Sequence, residues 1–305
     1  MNLWETYVKV DKHLNEKLLT IPPYPCVSGK RIQELLASLE NPDPAWGGLD
    51  GEILRMVKNP WQRAYQIEYR FKPTKIFNDF MKIIESATYD LMIGNYICSY
   101  LSLVPVVEAI LRKWFNEIKS INKQGGDFNR KIFVENLVKY LYEKNNERHT
   151  NIKFQNWINN QIKFFDFMIN EVFYLRFKDS EEGVKKEFNR NRTLHLLDNI
   201  EDVEVVRDNN TRIFLLLDII AELYLSLNEE LYNQNTFHTD YEKNIDFNLR
   251  WKIYLKSAME TINFTDMTII NFAFYQEEKK TMTDEQKQKF IEQKEYQIQF
   301  IQSKN

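Results

Sequence analysis

The chain has 305 residues, of which 43% are hydrophobic and 14% aromatic, and it carries a net charge of −3. That composition builds a substantial core and excludes a disordered chain. The slightly acidic balance excludes nucleic-acid binding through a global positive field, so any such contact has to come from a local patch.

With only 8 Gly and 8 Pro, long helices with few tight turns are expected. Neither a Walker A loop nor a G-x-G-x-x-G run is present, and so few glycines make a phosphate-cradling loop unexpected. The two cysteines, Cys26 and Cys98, show neither metal-ligand spacing nor a disulfide framework and read as free thiols of a reducing cytosol. Neither a metal nor a cofactor is expected. The first twelve residues contain Glu5 and Asp11 and lack a long apolar block, which argues against a signal peptide. Tyr96–Leu111 contains Pro105 and Glu108, and Ile213–Leu227 is broken by Asp218 and Glu222. Both runs are shorter than the ~20 residues of a membrane span and read as buried helices. A cytoplasmic location with no membrane partner is expected.

Residues 1–73 are the least regular part. Ile21-Pro22-Pro23-Tyr24-Pro25 and Asn41-Pro42-Asp43-Pro44 break helices, and Trp46-Gly47-Gly48 continues the irregular stretch. Short helices are expected over Trp4–Leu19 and Gly29–Leu39, in an extension docked on a helical body. From Pro73 the pattern becomes helical, with Ile76, Phe80, Ile83 and Ile84 at helical spacing. Thr88–Asn116 reads as one long buried helix, kinked near Pro105. Asp127 suits an N-cap for a helix running to about Lys144, and Asn145–Asn151 reads as a polar loop. Phe154, Ile158, Ile162, Phe165, Ile169 and Phe173 form the stripe of the next helix. Phe164, Phe165, Phe167, Phe173 and Tyr174 are assigned to the core. Asp179–Gly183 is a connector, Ile200–Asn210 reads as extended or loop, and Thr211–Leu231 as helical. After a polar stretch over Asn233–Asn248, helices are expected at Leu249–Thr261 and Thr265–Tyr275. Phe290, Ile291, Ile298 and Ile301 give Glu277–Lys304 a thin apolar seam. The organisation read from the chain is an N-terminal extension over 1–73, a helical domain over 74–232 and a C-terminal helical extension over 233–305.

The most informative residues are Arg190-Asn191-Arg192-Thr193-Leu194-His195, which read R-N-x-x-x-H. Arg is permanently charged and grips phosphate in a planar fork. His moves a proton near neutral pH. On an ideal helix, positions five apart are about 140° apart around the axis and ~7.5 Å along it. Arg190 and His195 therefore share no face, whereas Asn191 and His195 do, so Arg190 belongs at or before the helix start. A helix start also favours phosphate through its free backbone N–H groups. Glu108 and Arg112, at i and i+4, read as a helix salt bridge or, alternatively, as a support on a neighbouring helix that holds Arg190 or His195.

Phe188-Asn189-Arg190-Asn191-Arg192-Thr193-Leu194-His195 resembles the F-N-R-x-x-x-L-H segment of bacterial HEPN domains (higher eukaryotes and prokaryotes nucleotide-binding). Pro105-Val106-Val107-Glu108-Ala109-Ile110-Leu111-Arg112 is similar to the P-x-x-E-x-x-L-R stretch of an earlier helix in such proteins. The sequence departs from bacterial relatives at Asn191, where His is frequent, and at Leu196, where Gly is frequent; Asn is common at the former position in other HEPN nucleases. The resemblance implies an all-α, HEPN-like helical bundle and a metal-independent endoribonuclease of a bacterial defence or toxin system. It implies attack of a ribose 2′-OH on the adjacent phosphodiester, leaving a 2′,3′-cyclic phosphate and a 5′-OH end. His195 would be general base or acid, Arg190 would stabilise phosphoryl charge, and Asn191 would orient His195 or the phosphate. Arg192 would bind a flanking phosphate, with Glu108 and Arg112 in support. Two such motifs face each other in the family, and His13, His149 and His238 lack an Arg five residues earlier. A composite site therefore needs two copies of the chain. The expected partners are RNA, a second copy, and an antitoxin or other defence-system protein. The competing readings are a non-catalytic HEPN-like protein that binds another protein or a nucleotide, and an all-α scaffold without nucleotide chemistry.

Overall fold

The computed structural model describes residues 3–24, 29–41, 48–122, 130–148, 152–174, 188–194, 203–226 and 244–261. Among these residues every regular element is a helix and there is no strand. No helix among them is long and apolar enough to cross a membrane.

In chain order the helices are α1 (Leu3–Glu16), α2 (Gly29–Glu40), α3 (Gly48–Lys58), α4 (Pro60–Gln66), α5 (Met81–Met92), α6 (Tyr96–Asn122), α7 (Arg130–Arg148), α8 (Ile152–Asp166), α9 (Arg190–Leu194), α10 (Val203–Ser226) and α11 (Ile245–Thr261). A π turn, Ile67–Phe71, prolongs α4, a second, Phe167–Phe173, prolongs α8, and a 3₁₀ turn, Lys75–Phe80, leads into α5.

The core is built around α10. Every residue from Asn209 to Ser226 is buried, the apolar ones from Ile213 to Leu225 together with Asp218 and Glu222. It packs against α6, α8, α3 and the π turn after α4. Buried Leu103, Val104, Val107, Ile110, Leu111 and Trp114 form the inner side of α6, and Pro105 lies on its exposed side. There the missing proline N–H removes one helical bond at the surface and not in the core. Ile158, Ile162, Phe165, Ile169 and Phe173 are all buried, the last two within the π turn that ends α8.

The N-terminal third is tied into this core. Asp11 accepts hydrogen bonds from the Thr20 hydroxyl and the Ile21 amide, which fixes the chain after α1. The Gln161 amide of α8 donates to the Ile21 carbonyl (3.2 Å), and Arg212 Nε of α10 donates to the Lys17 carbonyl (3.2 Å). Asn59 caps α4 by accepting from the Trp61 and Gln62 amides at 2.9 and 3.2 Å, with Pro60 in the first turn.

Four expectations from the sequence are corrected. Thr88–Asn116 is not one helix: α5 ends at Met92 and Gly94 turns the chain at φ +75°, a conformation glycine adopts without a Cβ clash. The Asn95 amide closes that turn on the Asp90 carbonyl at 2.8 Å. Asn145–Arg148 is the last turn of α7 and not loop, because buried Asn145 donates at 2.9 Å to both the Gln155 carbonyl and the Asn159 side chain. Val203–Asn210 is helical and not extended, since burial of α10 overrides the local β-propensity of Val203 and Val205. The irregular N-terminal region contains α3 and α4, which the density of proline and glycine concealed. The expected N-cap Asp127, the connector Asp179–Gly183, the helix Thr265–Tyr275 and the seam within Glu277–Lys304 lie outside the described residues.

Candidate functional site

The short helix α9 is fixed before its first residue. Phe188 is fully buried, with its ring 5.7 Å from Phe173 and 6.1 Å from Tyr100 between centroids. Asn189 is buried as well, and its amide donates to the Val172 carbonyl at the end of the α8 π turn (3.2 Å). Its own carbonyl accepts from the Thr193 amide (2.9 Å) and the Thr193 hydroxyl (2.8 Å). The Thr193 hydroxyl also meets the Tyr100 hydroxyl of α6 at 3.1 Å. These contacts lock α9 between α6 and the end of α8.

Arg190 is the first residue of α9. Its Nη2 donates to Glu108 Oε2 at 2.6 Å, its Nη1 to Asn191 Oδ1 at 2.9 Å, and its guanidinium carbon lies 5.8 Å from the centre of the Tyr174 ring. The side chain is 27% exposed, so it is neither a core residue nor a free surface cation. The other oxygen of Glu108 accepts from Arg112 Nε and Nη2 at 3.1 and 2.8 Å. One carboxylate is thus shared by two guanidinium groups, leaving one positive charge in excess. Burial alone would raise the Glu108 carboxyl; the hydrogen bonds and charges of Arg112 and Arg190 outweigh it and hold the group below its ordinary value.

The structure thus brings Arg190, Asn191, Glu108 and Arg112 together. Arg192 is the third residue of α9, and His195 lies outside the described residues, one position past the end of that helix. Tyr174, which the sequence assigned to the core, is buried and also lies under Arg190. Its signal in the sequence was slight, a Tyr at the end of an apolar stripe with no local link to position 190.

A second polar constellation escaped sequence reasoning. Arg63 of α4 pairs through both terminal nitrogens with Asp218 of α10, and the Tyr24 hydroxyl donates to Asp218 Oδ2 at 2.6 Å. Arg70 Nε lies 3.3 Å from Glu222 Oε2 one helical turn further on. All of these side chains are buried. Burial pushes the Asp218 carboxyl up from its ordinary value, and the charge and hydrogen bonds of Arg63, then the Tyr24 hydroxyl, pull it back. The clue was the i, i+4 pair Asp218 and Glu222 interrupting an apolar run, which demands buried cations opposite. Arg63 Nη2 also donates to the Tyr24 hydroxyl at 2.6 Å, so the three side chains hold one another in the core.

Cys98 is a free, exposed thiol, and Cys26 lies outside the described residues. Among the described residues, no group of three or more His, Cys, Asp or Glu side chains is placed to hold a metal ion. Compared with models of protein families, with curated proteins and with solved structures, the chain matches none.

Proposed function

We propose that this chain is a HEPN-type endoribonuclease that cleaves RNA by internal transesterification, in a bacterial defence or toxin system. The observation that carries this reading is the meeting of Arg190 with Glu108 at 2.6 Å. The two segments on which the resemblance rests, 82 residues apart between these positions, come together in space. They do so with the fixed cation as the first residue of α9.

In the proposed reaction the ribose 2′-oxygen attacks the adjacent phosphorus and the bond from phosphorus to the 5′-oxygen breaks. The 2′-OH proton passes to a general base and the 5′-oxygen takes a proton from a general acid, the two roles open to His195. Arg190 stabilises the charge that builds on the phosphoryl oxygens. Arg192 binds a flanking phosphate, and Glu108 keeps Arg190 in place with Arg112 as counterweight. Each chain supplies one R-N-x-x-x-H motif, so the complete site takes two copies arranged about a two-fold axis.

The test is incubation of the purified chain with total RNA in excess EDTA, followed by end-group analysis. Fragments ending in 2′,3′-cyclic phosphate and 5′-OH support the reading. Absence of cleavage for a folded, dimeric protein leaves the non-catalytic alternative, a helical protein that binds another protein or a nucleotide.

A further inference from the structure

Among the described residues, three side chains hold the Arg190 guanidinium, and they differ in what they do to its charge. Glu108, shared with Arg112, offsets part of that charge through a direct hydrogen bond of 2.6 Å. Asn191 takes one N–H at 2.9 Å and is neutral. The Arg190 guanidinium carbon lies over the Tyr174 ring, 5.8 Å from its centre. A ring face attracts a cation without consuming an N–H donor and without cancelling its charge.

The Tyr174 ring is itself immobilised. It is 5% exposed, directly follows the π turn of α8, and meets Phe173 edge to face at 5.1 Å and 86°. Phe173 in turn packs on Phe188, two residues before Arg190, at 5.7 Å. The platform and the cation it carries are therefore anchored in one aromatic cluster, so their separation is fixed by core packing. A phosphate that draws on the guanidinium competes directly with the Glu108 carboxylate for the same edge. It does not compete with the ring, which takes none of the guanidinium N–H donors.

We propose that Tyr174 is a positioning residue for Arg190 in RNA cleavage, holding the guanidinium where it meets the scissile phosphate. The proposal rests on the ribonuclease reading for its chemistry and on the ring–guanidinium contact for its geometry. A cation held loosely gives up stabilisation of the transition state more than binding of the ground state, so the effect belongs in kcat.

The test compares Tyr174→Phe and Tyr174→Leu in the full chain, with cleavage of a labelled RNA and melting temperature read on each. Tyr174→Leu is expected to lower kcat about tenfold with KM within about twofold, while Tyr174→Phe, which keeps the ring face, stays within about threefold of the parent. Unchanged kcat in a folded Tyr174→Leu protein overturns the proposal, as does a Tyr174→Phe variant that falls as far as Tyr174→Leu. Where the leucine variant fails to fold, Tyr174→Met takes its place, an unbranched side chain that adapts to the site with the ring lost. A double-mutant cycle of Tyr174→Leu with Arg190→Met in urea unfolding reads the contact without any activity. Coupling of about threefold in the unfolding constant supports the contact. Strict additivity overturns the proposal whether or not the chain cleaves RNA, and coupling in a protein that cleaves no RNA marks failure of the ribonuclease reading instead.

Discussion

Glu108 Oε2 and Arg190 Nη2 stand 2.6 Å apart across 82 residues of sequence, and the same carboxylate holds Arg112 through its other oxygen. The pair links the middle of α6 to the start of α9. Its strength follows the charge state of Glu108, which gives it a pH signature.

Burial works against the Glu108 charge, and Arg112 and Arg190 outweigh burial, so the folded carboxyl titrates below its ordinary value of 4.5. A carboxyl whose folded pKa is depressed stabilises the fold fully above its unfolded pKa, and that contribution is lost as pH falls through the folded value. At neutral pH Glu108→Gln should destabilise the protein by about 1 kcal/mol or less, because the network is partly open to solvent. The difference in melting temperature between the parent and Glu108→Gln should stay level from pH 7 to about pH 5.5 and shrink below the unfolded value. A difference that holds constant down to pH 3 would show that the carboxylate charge contributes nothing.

The buried Arg63–Asp218 pair should behave differently. Asp218→Ala leaves a guanidinium without its carboxylate in the core, where the Tyr24 hydroxyl alone cannot replace it. Breaking such a pair typically costs about 3–5 kcal/mol, whereas replacing both members with apolar side chains of similar volume is far milder. Urea unfolding of Asp218→Ala, Arg63→Met and the double variant Arg63→Met/Asp218→Leu distinguishes the two cases. A double variant no more stable than Asp218→Ala would refute the idea that the cost is the orphaned charge.

The all-helical class was legible in the sequence because it rests on periodicity over long segments, and the stripe from Ile158 to Phe173 is buried as that period requires. Boundaries set by one residue were not legible. Gly94 gave the only local sign that α5 and α6 are separate, and Asn145 is held in α7 by partners on α8 that no local pattern reveals. At the candidate site the composition of the motif could be read, together with the suggestion that Glu108 supports it. The Tyr174 ring and the Tyr100–Thr193 contact depend on how α6, α8 and α9 pack, which is non-local by nature. The Arg63–Asp218 pair was half visible, since Asp218 in an apolar run announces a missing cation without saying which.

The split at Gly94 has its own test. Its φ of +75° disfavours any residue with a Cβ, but a Cβ built there meets nothing within 4 Å. Gly94→Ala should therefore cost about 1–2 kcal/mol from backbone conformation alone, without a steric term. Gly94→Asn should recover part of that, because Asn tolerates the left-handed region. If Gly94→Ala proves neutral in thermal unfolding, α5 and α6 are not divided by a left-handed residue at this position.

The sharpest prediction concerns Arg190 and His195 together. Arg190→Ala removes the fixed cation from the phosphoryl group and should lower the cleavage rate about 10²–10³-fold. Arg190→Lys should restore only part of that loss, because an ammonium cannot reach Glu108 and Asn191 at once in the planar geometry seen for the guanidinium. Asn191→Ala should be milder, since Glu108 and Tyr174 still hold Arg190. His195→Ala should lower the rate by about 10²–10⁴-fold, as expected for loss of a general acid–base group, and leave the melting temperature nearly unchanged. Rate and melting temperature have to be read on the same preparations. If His195 instead packs in the core, His195→Ala lowers the melting temperature by several degrees and reduces activity only in proportion to unfolding. Full activity in a well-folded His195→Ala protein would remove the general acid–base step and, with it, the mechanism proposed for this chain.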